Sequence, residues 1–241
     1  MTAPLVRRSP AHRARVVAAA DVTARMRRIT VQSDTMRDVE IKPAQDVELL
    51  LREENGRRVK RRYTIRRARP AAGELDLDVL LHGAGPGARW GATAAAGDEV
   101  EFQGPRGKLE LRPAPAHLLV GDESALPAIA AICAALPDSE PASAIVEITD
   151  AADELPVGAP TTWVHRGDRA PGGAELLLAA LAQHAVEPAA RAYLLGETRA
   201  MVALRADLEG RGVAHDAIFV KGYWNRGRPD RLAGRAPESA P

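Results

Sequence analysis

The segment Arg61–Arg66 places a cation and an aromatic ring at a spacing that suits an anionic, planar ligand. Alternate residues of a strand point to the same face, so Arg61 and Tyr63 share one face. A guanidinium can make a bidentate contact with a phosphate, and a phenol ring can stack on a planar heterocycle. Thr64 adds a hydroxyl and a backbone N–H that suit the N5 edge of such a ring. A flavin nucleotide is therefore one ligand that suits this pattern.

Two other interpretations of this basic run stay open. Residues 57–69 include eight basic residues, and such runs are usually solvated, so a charged edge strand is the simpler alternative. Nucleic acid is the second alternative, although Tyr63 alone offers stacking. The formal net charge of the whole chain is only +1, so we expect no nucleic-acid partner and no bulk attraction to a membrane.

A glycine-rich segment, His82–Trp90, joins a strand pattern to a predicted helix at Ala88–Ala96. Glycines such as Gly85 let the backbone approach an anion closely, and a helix N-terminus offers free N–H groups and the positive end of its dipole. Both features suit a pyrophosphate. An ordinary strand–helix turn stays open as the alternative, and a histidine such as His82 is more often structural than a ligand contact.

Two more strand-to-helix junctions, Gly121–Ile129 and Gly196–Thr198, lie where α/β sheets bind ligands, at the carboxyl ends of strands. Neither contains G-x-G-x-x-G. The acids Asp122, Glu123 and Glu197 could equally be helix caps. The junctions are candidate ligand loops, with capped turns as the alternative.

The segment Lys221–Arg228 combines the adjacent aromatics Tyr223 and Trp224 with three cations. The chain has only eight Phe, Trp and Tyr residues, so two adjacent aromatics are unusual for this composition. The alternative role for the pair is an apolar anchor that closes the last strand.

The composition excludes several classes of protein. Cys133 is the only cysteine, which excludes an intrachain disulfide, an all-cysteine zinc site and an iron–sulfur cluster. No His/Cys/Asp spacing indicates a metal site, so we expect no resident metal. Met1–Arg8 lacks the apolar core of a secretory signal, and no apolar run approaches the roughly 20 residues that span a bilayer. We expect a cytoplasmic protein with no membrane insertion.

The first half of the chain alternates like antiparallel strands. In Glu74–His82, three apolar residues alternate with Glu74, Asp76 and Asp78, which predicts a half-buried strand. Asn55-Gly56 is a hairpin signal. Further strands are predicted at Arg15–Ala20, Met26–Gln32, Val47–Arg52, Arg61–Ala68 and Glu99–Gly104. Five or six short strands with little helix predict a small barrel.

The second half alternates strands with helices, which predicts a parallel sheet with covering helices. Strands are predicted at His117–Val120, Ala144–Ile148, Thr161–His165, Ala192–Leu195 and Ala217–Val220, and helices at Leu126–Leu136, Ala174–His184 and Arg199–Glu209. Two prolines between Arg112 and Ala116 mark the boundary. We therefore expect a barrel domain at 1–112, an α/β domain at 113–230 and a disordered tail at 231–241.

Over about Arg15–Asp230 the chain resembles the siderophore-interacting proteins, within the ferredoxin-reductase-like flavoproteins. Seven short motifs occur in the family's order. They are R-x-Y-T-x-R at Arg61–Arg66, L-H-G-x-G-P-x-x-R-W at Leu81–Trp90, A-G-D-x-V at Ala96–Val100, G-P-R-G at Gly104–Gly107, G-D-E-S-A-L-P-A-I at Gly121–Ile129, G-E-x-x-A at Gly196–Ala200 and G-Y-W-x-x-G at Gly222–Gly227. Each motif is weak alone, but the ordered set is specific.

The resemblance implies an FAD-binding antiparallel β-barrel followed by an NAD(P)H-binding α/β domain. Its FAD assignments are Arg61 to a phosphate, Tyr63 to ring stacking, Thr64 to the N5 region, and His82, Gly85 and Trp90 to the pyrophosphate and adenosine side. Asp122 and Ser124 are assigned beside the flavin where the domains meet. Serine stands where the family more often has threonine, and it keeps the hydroxyl.

The resemblance also implies nicotinamide-side residues, namely Gly121, Glu123, Gly196 and Glu197. Candidates for a 2′-phosphate are Arg166, Arg169, Arg199 and Arg205, and nothing in the sequence separates NADPH from NADH. The implied contacts to an anionic ferric siderophore are Lys221, Trp224 and Arg226.

The implied activity is reduction of ferric siderophores by NAD(P)H through FAD, with the flavin rather than a protein group carrying the chemistry. Two alternatives stay open at this point. One is a flavin reductase that exchanges electrons with ferredoxin or another protein carrier. The other is a non-catalytic module that binds FAD or a ferric chelate.

Overall fold

The computed structural model describes residues 10–53 and 56–227. Three sequence predictions fall wholly or partly outside these residues. They concern the N-terminal segment Met1–Arg8, the Asn55 half of the hairpin signal and the tail 231–241.

Six antiparallel strands close into a barrel in the order β1-β2-β5-β4-β3-β6, as the sequence predicts. Their bounds are β1 His12–Asp21, β2 Met26–Gln32, β3 Asp46–Arg52, β4 Arg58–Arg69, β5 Glu74–Leu80 and β6 Glu99–Arg106. The inward positions carry aliphatic residues such as Val47, Leu49 and Leu77, none of which is exposed to solvent. The alternation seen in the sequence is thus the inside–outside alternation of barrel strands.

The acidic face of β5 differs from the half-buried strand that the alternation predicts. Asp76 and Asp78 are only 5 % and 6 % exposed. Arg69 makes a bidentate contact with Asp76, with N–O distances of 2.7 Å, and Arg28 does the same with Asp78 at 2.7 and 2.8 Å. Arginines from neighbouring barrel segments therefore cover these carboxylates and supply the hydrogen bonds that a buried charge requires.

One helix, α1 (Pro86–Thr93), connects β5 to β6 and packs on the barrel. It begins two residues before the predicted start because Pro86 has its φ fixed near the helical value and needs no N–H partner there. A Cβ on Gly91 would lie 2.5 Å from a methyl of Val79, so a glycine is required for the helix to lie this close to β5.

The second half forms a five-stranded parallel sheet in the order β11-β10-β7-β8-β9. Its strands are β7 His117–Asp122, β8 Ala142–Ile148, β9 Thr161–His165, β10 Arg191–Glu197 and β11 Ile218–Trp224, and its helices are α2 Leu126–Cys133, α3 Glu175–Ala182 and α4 Thr198–Gly210. The last strand runs four residues past its predicted end. It continues because Gly222 and Trp224 still pair with β10.

The barrel and the sheet meet along β4, against which α2 packs. Met26, Ala44 and Leu109 lie in the same buried cluster as Ile129 and Tyr193 of the sheet unit. The longest helix in the described residues, α4, has 13 residues, and no helix there is both long and apolar enough to cross a bilayer.

Asp76→Asn should destabilise the protein by about 1–3 kcal/mol at neutral pH, because it weakens two charge-assisted hydrogen bonds in a buried site. Burial raises the pKa of Asp76, but Arg69 and Thr30 outweigh it and hold the pKa below its ordinary value. The stabilisation is therefore present above the unfolded pKa and is lost as the pH falls through the folded one.

Urea unfolding of wild type and variant at neutral and acidic pH measures this difference. Asp138→Asn is the matched control, because Asp138 is exposed. A difference between wild type and Asp76→Asn that persists unchanged into acid would contradict the ion-pair explanation.

Candidate functional site

Arg61 and Tyr63 lie on the face of β4 that meets α1. The rings of Tyr63 and Trp90 have centroids 5.8 Å apart, and the Tyr63 hydroxyl lies against the Cα of Gly87. A Cβ on Gly87 would also be 3.3 Å from Cγ of Arg61. The structure therefore brings the predicted cation, both predicted aromatics and the first turn of α1 together. Burial raises the pKa of Tyr63, so its phenol is neutral.

The loop before α1 is open to solvent. His82 and Gly85 are exposed, and a Cβ at Gly83 or Gly85 would meet no atom within 4 Å. Gly83 has a φ of 62°, a value that favours glycine. Gly85 is the N-cap of α1 and offers no side chain to the first-turn amides. The loop and Arg61 thus border an accessible surface rich in hydrogen-bond donors.

Thr64 points to the other face of β4, toward β11. It is 7 % exposed and pairs across the sheet with Asp46 of β3. Close by lies Tyr223, whose buried hydroxyl interacts with the Thr64 side chain. Burial raises the pKa of Tyr223. Oδ1 of Asp46 is buried and makes no hydrogen bond to any described residue. One buried polar atom therefore lacks a partner beside the predicted N5 residue.

Lys221 connects β11 to the barrel at this same place. Its Nζ lies 2.8 Å from Oδ2 of Asp46 and 3.3 Å from the carbonyl oxygen of Ala44, and it is 5.1 Å from the ring centre of Tyr223. Its side chain is 21 % exposed. The structure thus pairs this predicted substrate cation with a barrel carboxylate.

Asp122, at the end of β7, is a buried hub of four hydrogen bonds. Its Oδ1 accepts from the backbone N–H of Ser124 at 2.9 Å and from the Ser124 hydroxyl at 2.5 Å. Its Oδ2 accepts from Nε1 of Trp224 at 2.8 Å and from the N–H of Glu197 at 2.9 Å. Burial raises the pKa of Asp122. The carboxylate ties the ends of three neighbouring strands together and fixes the Trp224 ring.

The predicted nicotinamide-side acids, Glu123 and Glu197, are hydrogen-bonded to other groups of the protein. Glu197 caps α4 by accepting from the N–H of Ala200 at 2.8 Å and also accepts from the N–H of Arg226 at 3.1 Å. Glu123 makes a bidentate contact with Arg166 at 2.7 and 2.8 Å. Arg166 is 8 % exposed, so this 2′-phosphate candidate is already paired and buried.

Close packing within the protein explains why glycine is required at these predicted strand-end positions. A Cβ on Gly121 would be 2.5 Å from the carbonyl oxygen of Leu195 and 2.7 Å from Cβ of Ala125. A Cβ on Gly196, whose φ is 150°, would be 2.6 Å from Oδ2 of Asp122. Both glycines allow the close packing of strands, helix and the Asp122 hub, independently of any ligand.

Sequence reasoning missed several residues of this region. Glu147 on β8 is 3 % exposed beside Arg166, and burial, with Asp122 and Glu123 adding to the effect, raises its pKa to about 7. Asp46 carries the contact between the barrel and β11. Neither lies in a recognisable motif. Their only sequence signal is an acidic residue near the end of a strand, the first residue of β3 for Asp46 and the last but one of β8 for Glu147.

Together these elements define a class of fold, the ferredoxin-reductase-like pairing of an antiparallel barrel with a parallel nucleotide-type sheet. The ferredoxin reductase of carbazole 1,9a-dioxygenase superposes with a TM-score of 0.72 at 20 % identity, over 91 % of this chain and 70 % of that one. The predicted fold class is confirmed.

The chain belongs to the siderophore-interacting protein family. The family model for siderophore-interacting proteins matches residues 114–227, and that for the siderophore-interacting FAD-binding domain matches 44–109. A siderophore utilization protein from T. fusca is 32 % identical, with a TM-score of 0.85 over 93 % of this chain and 96 % of that one. The predicted family and its FAD-binding barrel are confirmed.

Ferric vibriobactin reductase ViuB of Vibrio cholerae is a further relative. It is 35 % identical over 178 residues, which are 70 % of this chain and 66 % of ViuB. The match thus spans slightly less than two thirds of ViuB.

Gly121→Ala should destabilise the protein by about 1–3 kcal/mol, because the new methyl overlaps backbone and helix atoms that cannot move independently. Gly210→Ala is the control. A Cβ there meets nothing within 4 Å, so its stability should stay equal or rise by up to about 1 kcal/mol. Urea unfolding checks both. If Gly121→Ala unfolds like wild type, close packing is not the reason for this glycine.

Proposed function

We propose that this protein is an FAD-dependent NAD(P)H oxidoreductase that reduces ferric siderophores and so releases iron(II). Oxygen-rich chelators bind small, triply charged iron(III) far more tightly than iron(II), so reduction frees the metal and leaves the chelator intact. One NAD(P)H gives two electrons and a proton, which reduces two iron(III) centres. When bound, FAD supplies the change from two-electron to one-electron transfer.

The described residues fit FAD on two independent observations. The first is the open, donor-rich surface formed by Arg61, the loop before α1 and the α1 N-terminus, next to the Tyr63–Trp90 aromatic pair. The second is Oδ1 of Asp46, a buried atom without a hydrogen-bond partner in the described residues, beside Thr64 and Tyr223. A diphosphate suits the first region, and a polar planar ring suits the second.

In this proposal the barrel holds the cofactor. Arg61 binds a phosphate, Tyr63 stacks on the ring and Thr64 contacts the N5 region, while His82, Gly85 and Trp90 border the pyrophosphate and adenosine. Ser124 contacts the ring from the sheet unit, and Asp122 orients Ser124 through two hydrogen bonds.

The nicotinamide enters at the carboxyl edge of the sheet, beside the Gly121–Glu123 and Gly196–Glu197 loops. Because the carboxylates of Glu123 and Glu197 are paired internally, we assign them to holding loop shape. Reduced ferredoxin is a second electron donor compatible with this arrangement. We also propose a cytoplasmic location, since the lone Cys133 suits a reducing compartment.

The ferric siderophore is placed at the mouth formed by Lys221, Trp224 and Arg226. Arg226 is exposed, and its backbone is held by Glu197. Lys221 is neutralised by Asp46, so Arg226 is the stronger attractor of an anionic chelate.

The observation that supports this function best is a continuous set of contacts between the barrel and the sheet. On the barrel side, Thr64 pairs with Asp46, which binds Lys221 of β11. On β11, Lys221 lies over the Tyr223 ring, and the next residue, Trp224, donates to Asp122 at the end of β7. It joins the FAD-binding barrel to the strand ends of the sheet.

Anaerobic NADPH or NADH should bleach the visible flavin absorbance of purified protein. A ferric hydroxamate or catecholate should then yield iron(II), captured by a ferrous chelator, without any protein carrier. Flavin that never bleaches with nicotinamide or reduced ferredoxin refutes the proposal.

Arg61→Ala and Tyr63→Ala should each give folded protein with little or no FAD, since one loses the phosphate contact and the other the ring contact. Arg62→Ala is the matched control. Its side chain is exposed on the opposite face of β4 and lies 3.6 Å from Glu48. Flavin absorbance after gel filtration measures retention, and circular dichroism checks folding. A double Arg61/Tyr63 variant that stays yellow disproves this placement.

Lys221→Ala should raise the KM for an anionic ferric siderophore more than the KM for the nicotinamide. Asp46→Asn should act in the opposite direction, because it frees Lys221 from its partner. Steady-state kinetics with each substrate varied in turn gives both constants. Equal changes in the two KM values, or an Asp46→Asn variant that binds chelate more weakly, removes Lys221 from the siderophore mouth.

A further inference from the structure

A cleft of about 300 Å³ separates the outer face of the barrel from the sheet unit, and none of its lining residues is among those assigned above. Val22, Arg28, Arg66 and Asp78 form its barrel wall. The facing wall consists of Leu126 and Ala130 of α2 and the segment 155–157. This volume is at the lower end of the range for small-molecule sites.

Arg66 is the cation in this cleft that lacks a partner. Within residues 10–53 and 56–227 it makes no hydrogen bond and no ion pair, and burial lowers its pKa. The neighbouring arginines behave differently: Arg28 is bidentate with Asp78, and Arg69 with Asp76. Asp78 and Asp76 attract Arg66 electrostatically but do not contact it, so its guanidinium can still accept an anion as a direct partner.

Asp78 is the acid of the lining that attracts Arg66, but both of its oxygens are hydrogen-bonded to Arg28. The Arg28–Asp78 pair contributes no net charge to the lining. Cys133 lies near enough to feel the Arg66 charge, but burial raises its pKa to about 11, so its thiol is uncharged at neutral pH. The lining therefore carries one net positive charge.

The remaining lining is apolar and limits what can accompany the anion. Val22, Leu126, Ala130, Leu155 and Val157 offer aliphatic surface, and Pro156 has no backbone donor. A strongly hydrated ion such as free phosphate would leave most of its oxygens without partners against these walls. A ligand with one charged end and an apolar body satisfies both sides of the cleft.

We propose that this cleft binds a small organic monoanion, an aryl or branched-alkyl carboxylate of about ten non-hydrogen atoms, with its carboxylate on Arg66 and its apolar body against α2. The site is separate from the proposed reductase activity. Since its two walls belong to different units, the bound carboxylate also stabilises their contact by mass action.

Calorimetric titration of the FAD-loaded protein with phenylacetate tests the proposal, and the uncharged isostere phenylacetamide tests the role of charge. Phenylacetate should bind once per chain, and phenylacetamide should bind at least tenfold more weakly. Arg66→Gln should weaken phenylacetate at least tenfold. Arg67→Gln, an exposed neighbour on the same strand, should bind like wild type. Leu155→Trp, which fills the apolar wall and leaves Arg66 intact, should also weaken binding.

A second measurement needs no ligand. Because Arg66→Gln removes a half-buried charge that makes no direct ion pair in the described residues, it should raise Tm by about 2 °C or more, while Arg67→Gln leaves Tm unchanged. Three results overturn the proposal: no phenylacetate binding at millimolar concentration, equal affinity in wild type and Arg66→Gln, or release of FAD by phenylacetate. The last result would make the cleft part of the cofactor site.

Discussion

The buried carboxylate of Asp122 is the interaction on which the arrangement of the site depends. It accepts four hydrogen bonds, which join the end of β7 to the start of β10's loop and to the indole of Trp224. A carboxylate removed from water in this way is stable only while its donors stay in place. Ser124, the end of β10 at Glu197 and the aromatic end of β11 are consequently positioned by one group.

Most of the fold could be predicted from the sequence because its signals are local. Period-two alternation identifies the barrel strands, and strand–helix alternation identifies the parallel sheet. The burial of Asp76 and Asp78 was not predicted, since it depends on arginines of neighbouring strands, Arg69 on β4 and Arg28 on β2, that pair with these carboxylates only in the folded barrel. The length of β11 was also missed, because its last residues are strand only through pairing with β10.

The candidate site was predicted as a set of motifs, but a motif does not reveal what its residues touch. Arg61, Tyr63 and Trp90 do converge on one helix end. Glu123, Glu197 and Lys221 occupy the expected region, yet each is paired with a group inside the protein. Gly121 and Gly196 are explained by packing alone. The helix cap that Glu197 forms with Ala200 is local and was one of the sequence alternatives. The pairings of Glu123 with Arg166 and of Lys221 with Asp46 join residues far apart in sequence, so spacing carries no information about them.

The cluster that Met26, Ala44 and Leu109 share with Ile129 and Tyr193 has a consequence for the protein as a whole. Apolar residues from the first unit complete the hydrophobic core of the second. A chain cut between the units would therefore expose hydrophobic surface on both. The units are therefore thermodynamically interdependent. By mass action, any ligand that binds only the folded barrel therefore also disfavours unfolding of the sheet unit.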